Sequence, residues 1–236
     1  GGIGKTTLLK HLYDNHTNNN IKILINLEEY SNPLNFYSKL ILELHKSNIK
    51  LFNFKIAFAI YWNKLNPNLA MKENEAFKGE WETLIPIIDQ IGFGVGSIFR
   101  ALYDYKDEFK KKFFNNYKME LEELENMNYK EIEILLPKFL NYDLNFNMEN
   151  REETIIFFLD THEYLFEHNK RENNRIKCDS FIKDVILSTF ELNTLFVITG
   201  REKLNWYKEN HEWENYIKHI ELNSISKEAS IKYLAD

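Results

Sequence analysis

Gly1-Gly2-Ile3-Gly4-Lys5-Thr6-Thr7 opens the chain, and its reading decides the fold. Glycines lack a side chain, so consecutive backbone N–H groups can close around an anion, and a helix beginning near Lys5 turns the positive end of its dipole toward the same point. The stretch matches the second half of the pattern G-x-x-x-x-G-K-[ST], with Gly4, Lys5 and Thr6 as its end. On that reading Gly1, Gly2, Ile3, Gly4, Lys5, Thr6 and Thr7 wrap a phosphate chain. Lys5 reaches the β- and γ-phosphates, the Thr6 hydroxyl ligates magnesium and Thr7 sits near the α-phosphate. The competing reading is a chance glycine turn ahead of a helix. The pattern's first glycine and the strand that feeds the loop are expected upstream of Gly1. The chain therefore reads as a fragment, expected not to fold stably without that strand.

Working outward, Lys5 to about Asn15 reads as a helix with Leu8, Leu9 and Leu12 on one side. Ile21 to Leu27 is a short β-branched apolar run, the pattern of a strand buried in a parallel sheet. Ser31-Asn32-Pro33 supplies a helix start with a capping side chain and a first-turn proline, continued by Leu34, Tyr37, Leu40, Ile41 and Leu44. Strand pattern returns at Thr154 to Asp160 (TIIFFLD) and at Thr194 to Thr199 (TLFVIT), with a helix from roughly Cys178 to Thr189 between them. Ile217 to Leu222 is a weaker candidate for a last strand, and Ser226 caps a closing helix.

Between residues 50 and 150 the strand–helix alternation stops for longer than one crossover helix requires, which predicts a large α-helical insertion. Three apolar stripes at helical spacing run through it. They are Phe54, Phe58, Tyr61, Trp62 and Leu65; then Phe109, Phe113, Tyr117, Leu121 and Leu124; then Ile132, Leu135, Leu136 and Phe139. Periodic stripes of this kind are core rather than a binding surface. Lys110-Lys111-Lys112 lies among acids and reads as a solvated helix face. Gly92-Phe93-Gly94-Val95-Gly96 lacks the preceding strand of a phosphate loop and reads as a turn.

A magnesium-bound triphosphate needs a carboxylate at the end of a buried strand, and Asp160 stands there. Glu163, three residues on, is positioned to polarise an attacking water as a general base, or it is a helix-start acid with no catalytic part. His162 between them reads as a neighbour, because one isolated histidine makes no metal site. Arg201 follows the strand TLFVIT through Gly200. It reads equally as a sensor of the γ-phosphate that stabilises developing charge and as a surface ion-pairing arginine.

Composition bounds the rest. The chain has 236 residues, 44% of them apolar, which suffices for a sizeable core. A net charge of −6 argues against broad electrostatic capture of nucleic acid or anionic membrane. No apolar run reaches the length of a membrane span and the start lacks a signal-peptide layout, so a cytoplasmic location is expected. The single cysteine, Cys178, excludes an internal disulfide and reads as a helix-packing thiol. With 8 glycines and 4 prolines, turns are sparse and helix should dominate.

Taken together, the half loop, the strand IIFFLD followed by Thr161-His162-Glu163, the strand FVITGRE and the closing run Leu222 to Ala229 resemble the STAND-type P-loop ATPases. These are the signal-transduction relatives of NACHT and AP-ATPase proteins, and the order of motifs is similar to bacterial members whose ATPase core precedes a helical-repeat sensor. The resemblance covers about residues 1–44 and 136–236 and leaves the insertion outside it. It implies a three-layer α/β P-loop NTPase fold with a parallel sheet in the order five, one, four, three, two, the first strand missing from this chain. Residues 1–49 and 151–223 would form the core, 50–150 the insertion, and 224–236 the start of a following helical domain. It also implies ATP and Mg2+ as cofactors, with Asp160, Thr161 and Glu163 matching the family's metal acid, small residue and further acid, and Arg201 its arginine. The expected activity is ATP binding with slow hydrolysis that switches conformation, with protein partners or self-association through domains outside this chain. The family's winged-helix, effector and sensor parts do not occur in the sequence. Two alternatives share the loop: a small-molecule kinase or phosphotransferase, for which no arginine-rich lid is visible, and a nucleotide-binding scaffold without turnover.

Overall fold

The computed structural model describes residues 4–15, 20–68, 117, 119–167 and 179–222. Gly1, Gly2 and Ile3, the run Gly92 to Gly96, Lys110 to Lys112, Phe109 and Phe113, Cys178 and the closing helix expected from Ser226 lie outside the described residues.

Helix α1 (Lys5–Asn15) leads into strand β1 (Ile21–Asn26), then α2 (Pro33–Lys46) and α3 (Asn53–Leu65). A 20-residue helix, α4 (Tyr129–Met148), precedes β2 (Ile155–Asp160). A single turn, α5 (Tyr164–Glu167), and helix α6 (Ser180–Ser188) lead to β3 (Thr194–Ile198), and two 3-10 turns, Trp206–Lys208 and His211–Asn215, follow. The caps are those written in the sequence. Asn32 accepts a hydrogen bond from the Asn35 amide at 2.9 Å ahead of Pro33, and Asn128 with Glu131 forms a reciprocal capping box at the start of α4.

The described strands form one parallel sheet in the order β1-β2-β3, with Ile21 opposite Ile155 and Ile155 opposite Thr194. Parallel strands need helices on their faces. Ile23, Ile25, Phe157 and Leu159 point into the larger core with α2, α3, α4 and α6, whereas Ile156 and Phe158 on the other face meet Leu9 of α1. The chain is thus an α/β structure with helices on both sides of a small sheet. Helix α3 is buried on every side from Asn53 to Trp62 and packs chiefly on α4, so the first and third apolar stripes of the expected insertion lie in the same core as the strands. Each large side chain buried in this way contributes about 1.5–3 kcal/mol.

Three expectations need correction. Residues 217–222 form no strand: Lys218, His219, Ile220 and Glu221 are exposed, and among the described residues the segment pairs with no strand, although it lines the same cavity as β3. Strand β3 is only half-buried along its length, with Leu195 51% exposed, because that same outer edge is open among the described residues. Of the three leucines assigned to one side of α1, Leu9 alone is buried, while Leu8 and Leu12 are exposed.

One contact that no local pattern announces fixes α3 to α4. The cap position Phe52 offers no side-chain acceptor, and Asp143 of α4 takes its place. Its Oδ1 accepts from the Asn53 amide at 3.1 Å and from Asn53 Nδ2 at 3.0 Å, and its Oδ2 accepts from the Phe54 amide at 2.7 Å.

Candidate functional site

In open parallel sheets, ligands bind beyond the carboxyl ends of the strands. Here β1, β2 and β3 end at Asn26, Asp160 and Ile198, and the residues that follow converge. Asp160 is 7% exposed, and the Thr199 hydroxyl donates to its Oδ1 in a short hydrogen bond. Thr161 adopts φ 59°, a left-handed conformation that a β-branched residue rarely takes, and its hydroxyl donates to Asn26 Oδ1 at 2.7 Å. The His162 amide then donates to the Thr199 carbonyl at 2.9 Å. The turn after β2 is therefore clamped by the ends of both neighbouring strands.

Glu163 and Arg201 meet across this turn. Arg201 Nε lies 3.2 Å from Glu163 Oε1, and the Arg201 amide donates to Oε2 at 3.2 Å. Gly200 lies against the same pair: a Cβ there would stand 3.4 Å from Glu163 Oε2 and 3.5 Å from the His162 Cβ, ordinary contact distances. The two residues for which the sequence offered a catalytic and a bland reading are thus partners of one another.

Helix α1 begins close by. Gly4 has φ 78°, a conformation that suits glycine, and its carbonyl accepts from the Leu8 amide at 2.8 Å to start the helix. Lys5 is half-buried and lines a cavity of about 500 Å³ together with His162, Thr199, Gly200 and Arg201. The cavity continues along the outer edge of β3 past Leu195 and Ile198 to residues 217–222. Thr6 and Thr7 are exposed on the first turn of α1, and neither Thr6, Asp160 nor Glu163 lines the cavity. The structure brings the cations Lys5 and Arg201 to one cavity and the acids Asp160 and Glu163 to the adjoining turn.

Among the described residues no group of three or more His, Cys, Asp or Glu is arranged to hold a metal. Magnesium asks less of the protein: one or two hard oxygen donors, with waters and phosphate oxygens completing the shell. The donor set of Asp160 carboxylate and Thr6 hydroxyl suits that chemistry.

The sequence did not reveal the buried network behind the turn. Asp179, ahead of α6, accepts a hydrogen bond from Trp206 Nε1 at 2.6 Å and pairs with Lys183 at 3.2 Å, while His162 Nε2 lies 3.4 Å away. Lys183 continues to Glu209 at 2.6 Å. Burial pushes the Asp179 carboxyl up, but His162, Lys183 and Trp206 together hold it below its ordinary value. Burial likewise pulls the Lys183 ammonium down, and Glu209 and Asp179 more than offset it, leaving it raised. A buried tryptophan signals only that an acceptor is needed for its N–H, not where it comes from.

Comparison with protein-family models, with curated proteins and with solved structures gives no match to this chain.

Proposed function

We propose that the chain binds magnesium-ATP at the carboxyl ends of its parallel strands and hydrolyses it slowly, nucleotide state setting the conformation of a STAND-like switch. The observation that carries this reading is that Lys5, entered through the left-handed Gly4, and Arg201, paired with Glu163 of the turn after β2, line one cavity. Lys5 and Arg201 supply cations for the β- and γ-phosphates, and the backbone of Gly1, Gly2, Ile3 and Gly4 the amide cradle. Thr6 and Asp160 hold the magnesium, Thr7 contacts the α-phosphate and Glu163 orients the attacking water. Bound magnesium would neutralise charge developing on the phosphates. The neighbour order β1-β2-β3 also agrees with three adjacent strands of the P-loop class. Lys5→Ala in the intact protein should abolish ATP binding measured by calorimetry, because it removes the cation that meets the phosphates. Affinity within about 3-fold of the parental value would refute the phosphate-loop assignment.

A second reading, a nucleotide-binding scaffold without turnover, is favoured by one observation. The carboxylate offered as general base is engaged through both oxygens by Arg201. Phosphate release by the parental protein separates the two readings.

A further inference from the structure

Asp179 occupies the position from which an acidic side chain ordinarily caps a helix, and it makes no cap hydrogen bond to α6. The carboxylate is turned inward instead, only 2% exposed, toward groups from three parts of the chain. Those groups are Trp206 Nε1 at 2.6 Å, Lys183 Nζ at 3.2 Å and His162 Nε2 at 3.4 Å. The His162 and Trp206 rings also meet edge to face, with centroids 5.9 Å apart. Burying a carboxylate is costly unless its partners are well placed, so a charge turned inward from the cap position of α6 marks a position where alignment matters.

What these partners connect is specific. His162 lies between Asp160 and Glu163, in the turn whose Thr161 is held at φ 59°. Trp206 lies a few residues beyond Thr199, Gly200 and Arg201, the segment whose hydroxyl, carbonyl and guanidinium grip Asp160, His162 and Glu163. Asp179 thus closes a ring of contacts that runs from the turn through His162 to Trp206, back along residues 199–206, and onto the turn again. The other charged groups facing it, Lys183 and through it Glu209, anchor the ring to α6 and to the end of the first 3-10 turn.

We propose that Asp179 is a positioning residue for the Asp160–Glu163 turn, coupling the state of that turn to Trp206. This rests on the nucleotide-site reading above, since the ligand that moves the turn is magnesium-ATP. A ligand that draws Arg201 or Asp160 to itself displaces one side of the ring, and the contact through Asp179 carries the displacement to the indole. Trp206 is then a built-in optical reporter.

The test uses the intact protein, titrated with magnesium-ATP by calorimetry and by tryptophan emission. In the parental protein ATP changes the emission, and Trp206→Phe removes most of that change. Asp179→Asn keeps an acceptor for the indole but loses the charge that faces Lys183 and His162. It should reduce the ATP-induced emission change per bound nucleotide, with bound nucleotide counted by calorimetry, by roughly 5-fold or more. A purely structural Asp179 would lower the melting temperature and leave the emission change per bound nucleotide as it was, which overturns the inference and spares the site. An Asp179→Asn protein that fails to fold also overturns it, because the residue is then needed for the fold itself. A folded parental protein that binds no magnesium-ATP overturns both the inference and the reading on which it rests.

Discussion

Replacing Asp143 tests the joint between α3 and α4. Its carboxylate takes three N–H groups at once, the amides of Asn53 and Phe54 and the Asn53 side chain, and Asp143 and Asn53 are 0% exposed. Asp143→Ala leaves those donors without their acceptor at about 1–3 kcal/mol each, so a loss of about 3–9 kcal/mol is expected against a typical net stability of about 5–15 kcal/mol. Asp143→Asn is milder, because one oxygen still serves Asn53 while the Phe54 amide faces an NH2 group. It also removes a titration. Burial pushes the Asp143 carboxyl from an ordinary 3.8 up to about 7, with the Phe54 and Asn53 hydrogen bonds and Lys55 opposing it. A raised native value means the folded state keeps its proton where the unfolded state has released it. The group's contribution is therefore fully present below 3.8 and is lost as pH rises through 7. Over that window the change is on the order of 4 kcal/mol. Asp143→Asn should accordingly cost more stability at pH 5 than at pH 8 in urea unfolding followed by circular dichroism. Equal losses at the two pH values would refute the titration, and an Asp143→Ala protein as stable as the parental one would refute the cap.

Two further outcomes concern the turn after β2. Glu163→Gln should retain ATP binding and trap the nucleotide unhydrolysed, which filter retention of labelled ATP would detect; turnover at the parental rate would move the general base elsewhere. Arg201→Ala should change stability by no more than about 1 kcal/mol, its side chain being 67% exposed, yet lower phosphate release by roughly 100-fold. Parental turnover in that variant would leave Arg201 an ordinary ion-pairing residue.

What the sequence made legible was local in origin. The runs at Ile21, Ile155 and Thr194 read as strands because β-branched and aromatic residues sit in short blocks bounded by polar ones, and Asn32 with Pro33 announced α2 by cap chemistry alone. The motif Gly4-Lys5-Thr6 was readable for the same reason, since a glycine turn entering a helix is a local feature, and Gly4 at φ 78° does lead into α1. Residues 217–222 misled because an apolar run states only that a strand is possible; a ladder also needs pairing with a neighbouring edge, and among the described residues β3 pairs with β2 alone. Asp143 was invisible as a cap because it reaches Asn53 across 90 residues, and Asp179 reaches Trp206 across 27. Helix α3 showed its aromatic stripe, but nothing in that periodicity announced that Asn53 and Lys55 would be buried with it.

The candidate site divides along the same line. A non-glycine residue at positive φ costs on the order of 1–3 kcal/mol and persists only where surrounding contacts determine it. Thr161 is such a residue, and the groups that hold it and its neighbours come from the ends of the flanking strands: Asn26 at the end of β1, and Thr199 and Arg201 after β3. The position of Glu163 is therefore set by the pairing of three strands rather than by Asp-Thr-His-Glu itself. Sequence could name the acids at the end of β2 because a strand end is a local feature. It could not show that Glu163 faces Arg201, which depends on β2 and β3 lying side by side and parallel, with Leu159 opposite Ile198. The same dependence makes the pair responsive: a shift in the loop after β3 moves Arg201 directly and reaches Glu163 through two contacts, at Nε and at the amide. A ligand drawing that guanidinium away acts on the candidate base without touching it.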